Sequence, residues 1–467
     1  MQQTTQVWFF FLPLVQGSLG SSVVISSARC FNTMIMASAF YKFGYQSCKL
    51  SGPGACKQPT ATAAASGGNG VHALATITRR NWRCRNMATT ASGTTTMAVA
   101  GRRREKKDDV VEGEDEWRSY LAPERLEMLR QMEPWVEEHV LPLLKPVEAS
   151  WQPSDLLPDP ANLGSDGFHA ACLELRAAAA GVPDDLLVCL VANMITEEAL
   201  PSYPSGLNRL EVVRDATGAD ATAWARWIRG WSAEENRHGD VLNRYMHLSG
   251  RFHMREVERT VQRLIRDGVI VHAPASPFHG FVYVAFQERA TAIAHGNTAR
   301  LVGARGAGDA ALARICGTVA ADEKRHEAAY TRVVGKFFEA DPDAAVRAMA
   351  YMMRRRIDMP TVLINDGRHS SGDFYARFVA IAQQAGTYTV SDYRAILEHF
   401  IRQWGVEELA AGLTGEGRRA RDYLCALPHK IKRMEEKAHD RAVKAQKKPT
   451  PIPINWIFDR TIPVILP

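Results

Sequence analysis

From about position 116 onward, apolar residues recur at intervals of three and four, and alternating β-branched runs are scarce. This pattern predicts an almost wholly helical body. Helices are expected over 117–144 with an interruption at Pro134, then over 168–180, 183–200, 222–249, 254–267, 278–300 and 309–339, and from 341 to about 357. Pro183-Asp-Asp makes a good helix start and Pro201 a stop. The Pro-rich stretch from Trp151 to Pro160 reads as extended. Residues 360–430 mix helix with Gly-rich turns. The last segment, 451–467, is apolar enough (Ile-Pro-Ile-Asn-Trp-Ile-Phe) to dock on the body.

One arrangement occurs twice: a helix with a lone glutamate, then a helix with Glu-x-x-His. The pairs are Glu235-Asn-Arg-His238 and Glu323-Lys-Arg-His326. The glutamates ahead of them are Glu197, in Met-Ile-Thr-Glu-Glu-Ala, and Glu288, in Phe-Gln-Glu-Arg-Ala-Thr; spacing alone does not separate Glu197 from Glu198. Residues three apart share a helix face. Four such helices facing inward would gather four carboxylates and two imidazoles, as di-iron carboxylate bundles do. Two divalent irons would balance the four negative charges, so the cluster could be buried. The fold class expected is all-α: a ferritin-like di-iron bundle with additional helices.

A lone Glu-x-x-His is weak evidence, and the chain supplies its own control. Glu436-Lys-Ala-His439 lies among Lys432, Arg433 and Asp440 and reads as a solvated face. The other two pairs have core-like neighbours: Trp227 and Trp231 for one, and Cys316, Val319, Ala320, Ala329 and Tyr330 for the other. Glu288 is the only acid between Asp267 and Asp309, flanked by Phe281, Val284, Ala285 and Ala292. An unpaired carboxylate there would be costly. Zinc fits poorly, since the eight cysteines form no Cys-x-x-Cys pair. Oxygen-rich ligation with two imidazoles favours iron or manganese.

Composition divides the chain near residue 105. Residues 1–104 contain 11 Lys and Arg and no Asp or Glu, and are rich in Ser, Thr, Ala and Gly. That composition predicts a cleaved organelle-targeting leader, with 105–116 as a charged linker and 117–467 as the helical domain. Beyond the leader, 46 of the 57 Lys and Arg remain against all 51 Asp and Glu, a formal −5. The overall +6 therefore belongs to the leader and is no sign of nucleic-acid binding. The apolar run 8–15 is too short to span a bilayer, and no later segment qualifies, so a soluble protein is expected. Four cysteines fall in the leader and four are scattered singly, as reduced thiols in a core would be.

Four stretches together resemble the plant soluble acyl-[acyl-carrier-protein] desaturases, typified by the plastid stearoyl desaturase. They are Met194-Ile-Thr-Glu-Glu-Ala-Leu-Pro, Trp231-Ser-Ala-Glu-Glu-Asn-Arg-His-Gly-Asp, Phe286-Gln-Glu-Arg-Ala-Thr and Ala321-Asp-Glu-Lys-Arg-His-Glu. The similarity runs from about 117 to 460. It implies a homodimer in the chloroplast stroma that inserts a cis double bond into a saturated chain carried on acyl carrier protein, using O2 and reduced ferredoxin. It implies two Fe(2+) held by Glu197, Glu235, His238, Glu288, Glu323 and His326, and so favours Glu197 over Glu198. It further implies that Asp322 backs the first histidine, with Trp151 beyond it as an electron route, and that Thr291, one turn after Glu288, stands near the oxygen site. Glu234 precedes a ligand as Asp322 does. Arg354, Arg355 and Arg356 match a basic stretch of the family, and three consecutive arginines cannot all be buried; they are the expected docking face for the acidic carrier. The chain departs from the family at Gly206, where a methionine is usual, and at Arg209, where a threonine is. Glycine would enlarge the acyl tunnel if it faces inward, while arginine would block it or reach solvent. Chain length and double-bond position therefore do not carry over. Rival readings are a ribonucleotide reductase small subunit, for which Tyr330 is the nearest candidate tyrosine, a ferritin-like iron oxidase or store, and a catalytically dead helical adaptor.

Overall fold

The structure, a computed structural model, describes residues 119–465 apart from 270–272, 305–307 and 446–447. The expected leader, the linker and the apolar run 8–15 lie outside the described residues. The helices are α1 (Pro123–Gln131), α2 (Glu133–His139), α3 (Pro153–Leu156), α4 (Pro160–Ala179), α5 (Asp184–Glu198), α6 (Ser202–Leu207), α7 (Ala223–Ser249) and α8 (Met254–Asp267). They continue with α9 (Pro277–Ala304), α10 (Ala310–Ala340), α11 (Pro342–Arg355), α12 (Ser371–Ala385), α13 (Val390–Gln403) and α14 (Gly415–Ala445). An antiparallel hairpin of β1 (Thr450–Ile454) and β2 (Arg460–Val464) follows. Among the described residues no single helix is long and apolar enough to cross a membrane.

Side-chain caps set where the long helices begin. The Thr222 hydroxyl accepts from Ala225 N at 3.2 Å, and the Asp309 carboxylate accepts from Leu312 N at 2.8 Å. Gly250, with φ of 67°, closes α7 in the left-handed conformation that glycine adopts without strain. Two expectations need correction. The stretch from Trp151 to Pro160 is not extended throughout: Gln152 and Asp155 form a capping box that starts α3. α4 begins at Pro160 and not at 168, with a break at Gly164 that interrupts the apolar period. Proline suits a first helical turn, where no N–H is needed.

α5, α7, α9 and α10 form the centre. α7 begins in one apolar cluster with Trp224, Trp227 and Trp231 and ends in another with Val241, Leu242, Tyr245 and Met246. α10 runs the other way, from Ile315 and Val319 in the second cluster to Tyr330, Val333 and Phe337 in the first. α9 passes from Phe278 and Phe281 to Val302. Between the clusters these helices cross a polar waist, and α5 reaches it with its last turn.

The last segment docks as expected, but as two strands. Ile452, Ile454, Ile462 and Val464 point inward, while Pro451, Pro453 and Pro463 alternate outward. Proline is tolerated on such edge strands. Trp456, at the turn, is fully buried against Phe374, with ring centroids 4.9 Å apart, and donates to Thr260 Oγ1 at 3.1 Å. Trp456→Ala should lower stability by about 3–5 kcal/mol, as expected for truncating a buried aromatic. Urea titration followed by circular dichroism checks this; an unchanged midpoint would show that the hairpin adds nothing.

Candidate metal centre

Both Glu-x-x-His pairs face the waist, at the middle of α7 and of α10. Glu197, Glu235, His238 and Glu323 form one group that could hold a metal ion, and Glu235, Glu288, Glu323 and His326 form a second. Glu235 and Glu323 belong to both, so two ions would share them. The six side chains are buried, from 0% exposed for the two histidines to 7% for Glu197. Glu198, the other glutamate of its pair, turns away and accepts from Asn243 at 3.3 Å. The control pair behaves differently, since Glu436 is exposed on α14.

The two histidines are held in a crossed pattern. His238 turns Nδ1 toward Glu235 (3.2 Å) and Glu323 (3.4 Å), and Nε2 toward Asp322 (3.6 Å) on α10. His326 turns Nδ1 toward Glu235 (2.7 Å) and Glu288 (3.6 Å), and Nε2 toward Glu234 (3.1 Å) on α7. Each helix thus supplies the carboxylate that backs the other helix's ring. A cationic layer stands behind. Arg325 donates to both Asp322 and Glu234 at 2.6 Å, Arg237 to Asp322 at 3.2 Å, and the Lys145 ammonium to Asp322 at 3.2 Å. Trp151 donates its indole N–H to Asp322 at 2.8 Å and stacks on His238, with centroids 6.2 Å apart.

Gly239 makes this approach possible. A Cβ there would stand 3.3 Å from Glu198 N and 3.4 Å from Glu197 C, so any side chain would press α7 away from α5. Trp231 donates to Glu288 at 3.0 Å, and His295 contacts Glu197 at 3.2 Å. Sequence reasoning missed both contacts. Trp231 lies four residues before Glu235 and His295 seven after Glu288, but no local motif marks a partner on another helix.

The residues fit a metal pair. Nδ1 of His238, Nδ1 of His326 and Oε1 of Glu235 are buried and close to one another's groups yet make no well-aligned hydrogen bond, an expense that ligation would relieve; Nε2 of His238, 3.6 Å from Asp322, makes none either. Without a metal the charges are lopsided. Burial raises the Glu197 carboxyl to about 7, and burial with repulsion from Glu235 holds Glu288 well above its ordinary value. Burial opposes ionisation of the imidazoles, yet the surrounding carboxylates hold both well above their ordinary value. Burial also opposes Glu234, but His326 and Arg325 outweigh it and bring that carboxyl to about 2.

A cleft with about 960 Å³ of empty space, partly open to solvent, reaches the cluster between Trp231, Glu235, Glu288 and Glu323. Its far wall is apolar and includes Leu207, Leu210, Tyr283 and Val284. A second, of about 820 Å³, is lined by Phe378, Val379, Tyr388 and Tyr393. Thr196, Glu197, Thr291 and Met359 line both. Gly206 lines the first limb, and a Cβ there would meet nothing within 4 Å; Arg209 is an exposed residue of the same limb. The Thr291 hydroxyl is bonded within its own helix, to Glu288 O at 2.9 Å and Gln287 O at 3.2 Å. Arg354 and Arg355 are exposed, over the rings of Tyr423 and Tyr351, and Arg356 is half-buried. Ile357, Asp358 and Met359, which follow them directly, line the second limb. Tyr330 is embedded edge-on against Trp227 and Trp231, as a core residue. Cys172, Cys189 and Cys316 are buried outside any disulfide, and Cys425 is half-buried.

Residues 124–458 match the family model described as Fatty acid desaturase. Acyl-[acyl-carrier-protein] desaturase 6, chloroplastic, of Oryza sativa subsp. indica is 71% identical over 395 residues, 84% of this chain and 91% of that one. Acyl-[acyl-carrier-protein] desaturase 7, chloroplastic, of the same subspecies is 68% identical over 393 residues, 84% and 93% of the two chains. Stearoyl-[acyl-carrier-protein] 9-desaturase 2, chloroplastic, of Arabidopsis thaliana is 53% identical over 342 residues, 73% and 82% of the two chains.

Ligands must shed protons to bind a metal, so uptake is linked to pH. Glu197 is largely protonated at pH 6 and largely ionised at pH 8, given its value of about 7. Loading the metal-free protein with a divalent ion should therefore release more protons at pH 6 than at pH 8, by about one, and affinity should fall on acidification. A pH-stat titration measures this, and equal release at the two pH values would contradict the charge distribution described.

Proposed function

The chain belongs to the fatty acid desaturase family, and from that premise we propose how its buried centre serves an acyl-[acyl-carrier-protein] desaturase, an oxidoreductase of fatty acid biosynthesis. The centre holds two ferrous ions on Glu197, Glu235, His238, Glu288, Glu323 and His326. The substrate is a saturated acyl chain on acyl carrier protein, stearoyl for the simplest case, which gains a cis double bond of the delta-9 type. The observation that supports this most strongly is a two-ion carboxylate cage bordered by two largely apolar clefts that share Thr196, Glu197, Thr291 and Met359 in their walls.

An unactivated methylene C–H bond is too strong for any side-chain base. Iron bound here would supply the oxidising power by drawing on dioxygen. The electrons balance when two come from the substrate and two from reduced ferredoxin, with O2 leaving as two waters. The protein's part is to hold, orient and dry the site. Asp322 and Glu234 fix the imidazole rings from behind, which sets ligand orientation. Trp151, stacked on His238 and bonded to Asp322, is the proposed electron route. Thr291, on the wall common to both limbs, is the proposed residue on the oxygen side. The apolar limbs straighten the chain past the cluster and exclude water. Gly206 leaves the first limb wide, and Arg209 marks its solvent side, so these two positions bear on which chain length fits.

The acidic carrier docks on Arg354, Arg355 and Arg356, which lead directly into the lining of the second limb. A local basic face is needed because the chain beyond the leader is itself slightly acidic. Residues 1–104 direct the protein to the plastid and are removed there, in keeping with the chloroplastic relatives, and the mature chain works as a homodimer in the stroma.

Iron-loaded protein with reduced ferredoxin, O2 and stearoyl-acyl carrier protein should yield an unsaturated product by mass spectrometry. Failure to form product from stearoyl or any other saturated acyl carrier, together with rapid oxidation of free ferrous ion, would favour iron oxidation or storage instead. Reversing charge at Arg355 and Arg356 should raise the KM for the acyl carrier, most at low salt, where surface charge is least screened, and leave iron content unchanged. A KM equal to that of the parent protein across ionic strength would place the docking face elsewhere.

A further inference from the structure

The two lone glutamates are each met by a ring nitrogen, but the rings differ. Trp231, on α7, donates to Glu288 Oε1 at 3.0 Å. On the other side of the cluster, His295 Nε2 lies 3.2 Å from Glu197 Oε1. His295 stands seven residues after Glu288 on α9, two turns along the same face. It is 1% exposed, and its Nδ1 has no hydrogen-bond partner. A carboxylate only accepts, so the contact with Glu197 is made when Nε2 carries the proton.

We propose that His295 is a positioning residue for Glu197. Its Nε2–H holds Oε1 and so presents Oε2, the oxygen 3.9 Å from His238 Nδ1, to the first metal position. This rests on the di-iron reading above. The support is geometric. Glu288 sits within α9, with helix on both sides, and is held by Trp231. Glu197 sits in the last turn of α5, which ends at Glu198 and runs into Pro201. Helix ends fray, so the carboxylate of Glu197 needs an external brace more than Glu288 does. Glu197 also belongs only to the first ion group, while Glu235 and Glu323 serve both. Losing the brace should loosen one ion and spare the other. Nothing in the local sequence marks His295 for this, since it stands among Ala292, Ala294 and Gly296 with no ligand spacing.

The test is an anaerobic titration of metal-free protein with ferrous ion, resolving the two binding steps. The parent protein should bind two ions per chain. His295→Leu should weaken one step by on order of 10–100-fold, the usual effect of losing a residue that orients a ligand, and leave the other within a few-fold. His295→Gln, which keeps an N–H donor on a side chain of similar reach, should restore most of the loss. Trp231→Phe should weaken the other step. The thermal midpoints of the metal-free His295→Leu and His295→Gln proteins should agree. A parent protein that binds two ions alongside a His295→Leu protein that binds both as tightly would overturn the inference alone. Equal weakening of both steps would also overturn it, as would a glutamine variant no better than leucine. A parent protein that binds no iron would overturn the di-iron reading and this inference with it.

Discussion

Burying four carboxylates and two imidazoles in the middle of a helical body is the constraint to which the rest of the structure answers. Ions cannot be left bare in a low-dielectric interior. Here each charge has a counterpart within a few ångströms, and the counterparts are layered. Carboxylates face inward to the imidazoles, Asp322 and Glu234 face the imidazoles from behind, and Arg237, Arg325 and Lys145 close the outer side. The apolar clusters above and below supply the burial that fixes the helices against this polar waist. Stability comes from the clusters, and the waist dictates the register in which they meet.

Much of the centre could be read from the chain because helix geometry is local. A Glu-x-x-His pair lies on one face wherever it occurs, so the two pairs and the boundaries of α7 and α8 follow from spacing and caps, whereas the choice of Glu197 over Glu198 needed the family resemblance. The apolar neighbours of Glu288 also mark it as buried. Partnership between helices is a different matter. That His295 meets Glu197, that Trp231 meets Glu288, and that Arg237 and Lys145 reach Asp322 depend on how whole helices rotate against each other. No window of sequence encodes that rotation. The hairpin at 450–464 escaped notice because alternating prolines disguise strands whose inward positions are plain isoleucines and a valine. The early start of α4 was hidden by Gly164, whose φ of 66° and ψ of 176° leave helical geometry and set the first turn from Pro160 apart from the rest.

The empty space beside the cage joins the two themes. Two clefts border the carboxylate cage and share Thr196, Glu197, Thr291 and Met359 in their walls, so a chain bound in either lies beside the cage. The clefts are not equivalent. One has Leu207, Leu210 and Val284 in its wall beside the exposed Arg209, and the other is lined by the rings of Tyr375, Phe378, Tyr388 and Tyr393 and by the residues that follow a basic helix end. A linear substrate with a charged carrier at one end and a methyl group at the other matches that asymmetry.

The crossed backing of the histidines has an evolutionary consequence. Since α7 carries the support for a ring on α10, and α10 the support for a ring on α7, neither helix can gain or lose a residue on its own. A single insertion near Glu235 would rotate Glu234 away from His326 and carry His238 off Asp322 in the same step. No compensating change within one helix would repair both. The lengths of α7 and α10 through the waist should be inherited as one unit.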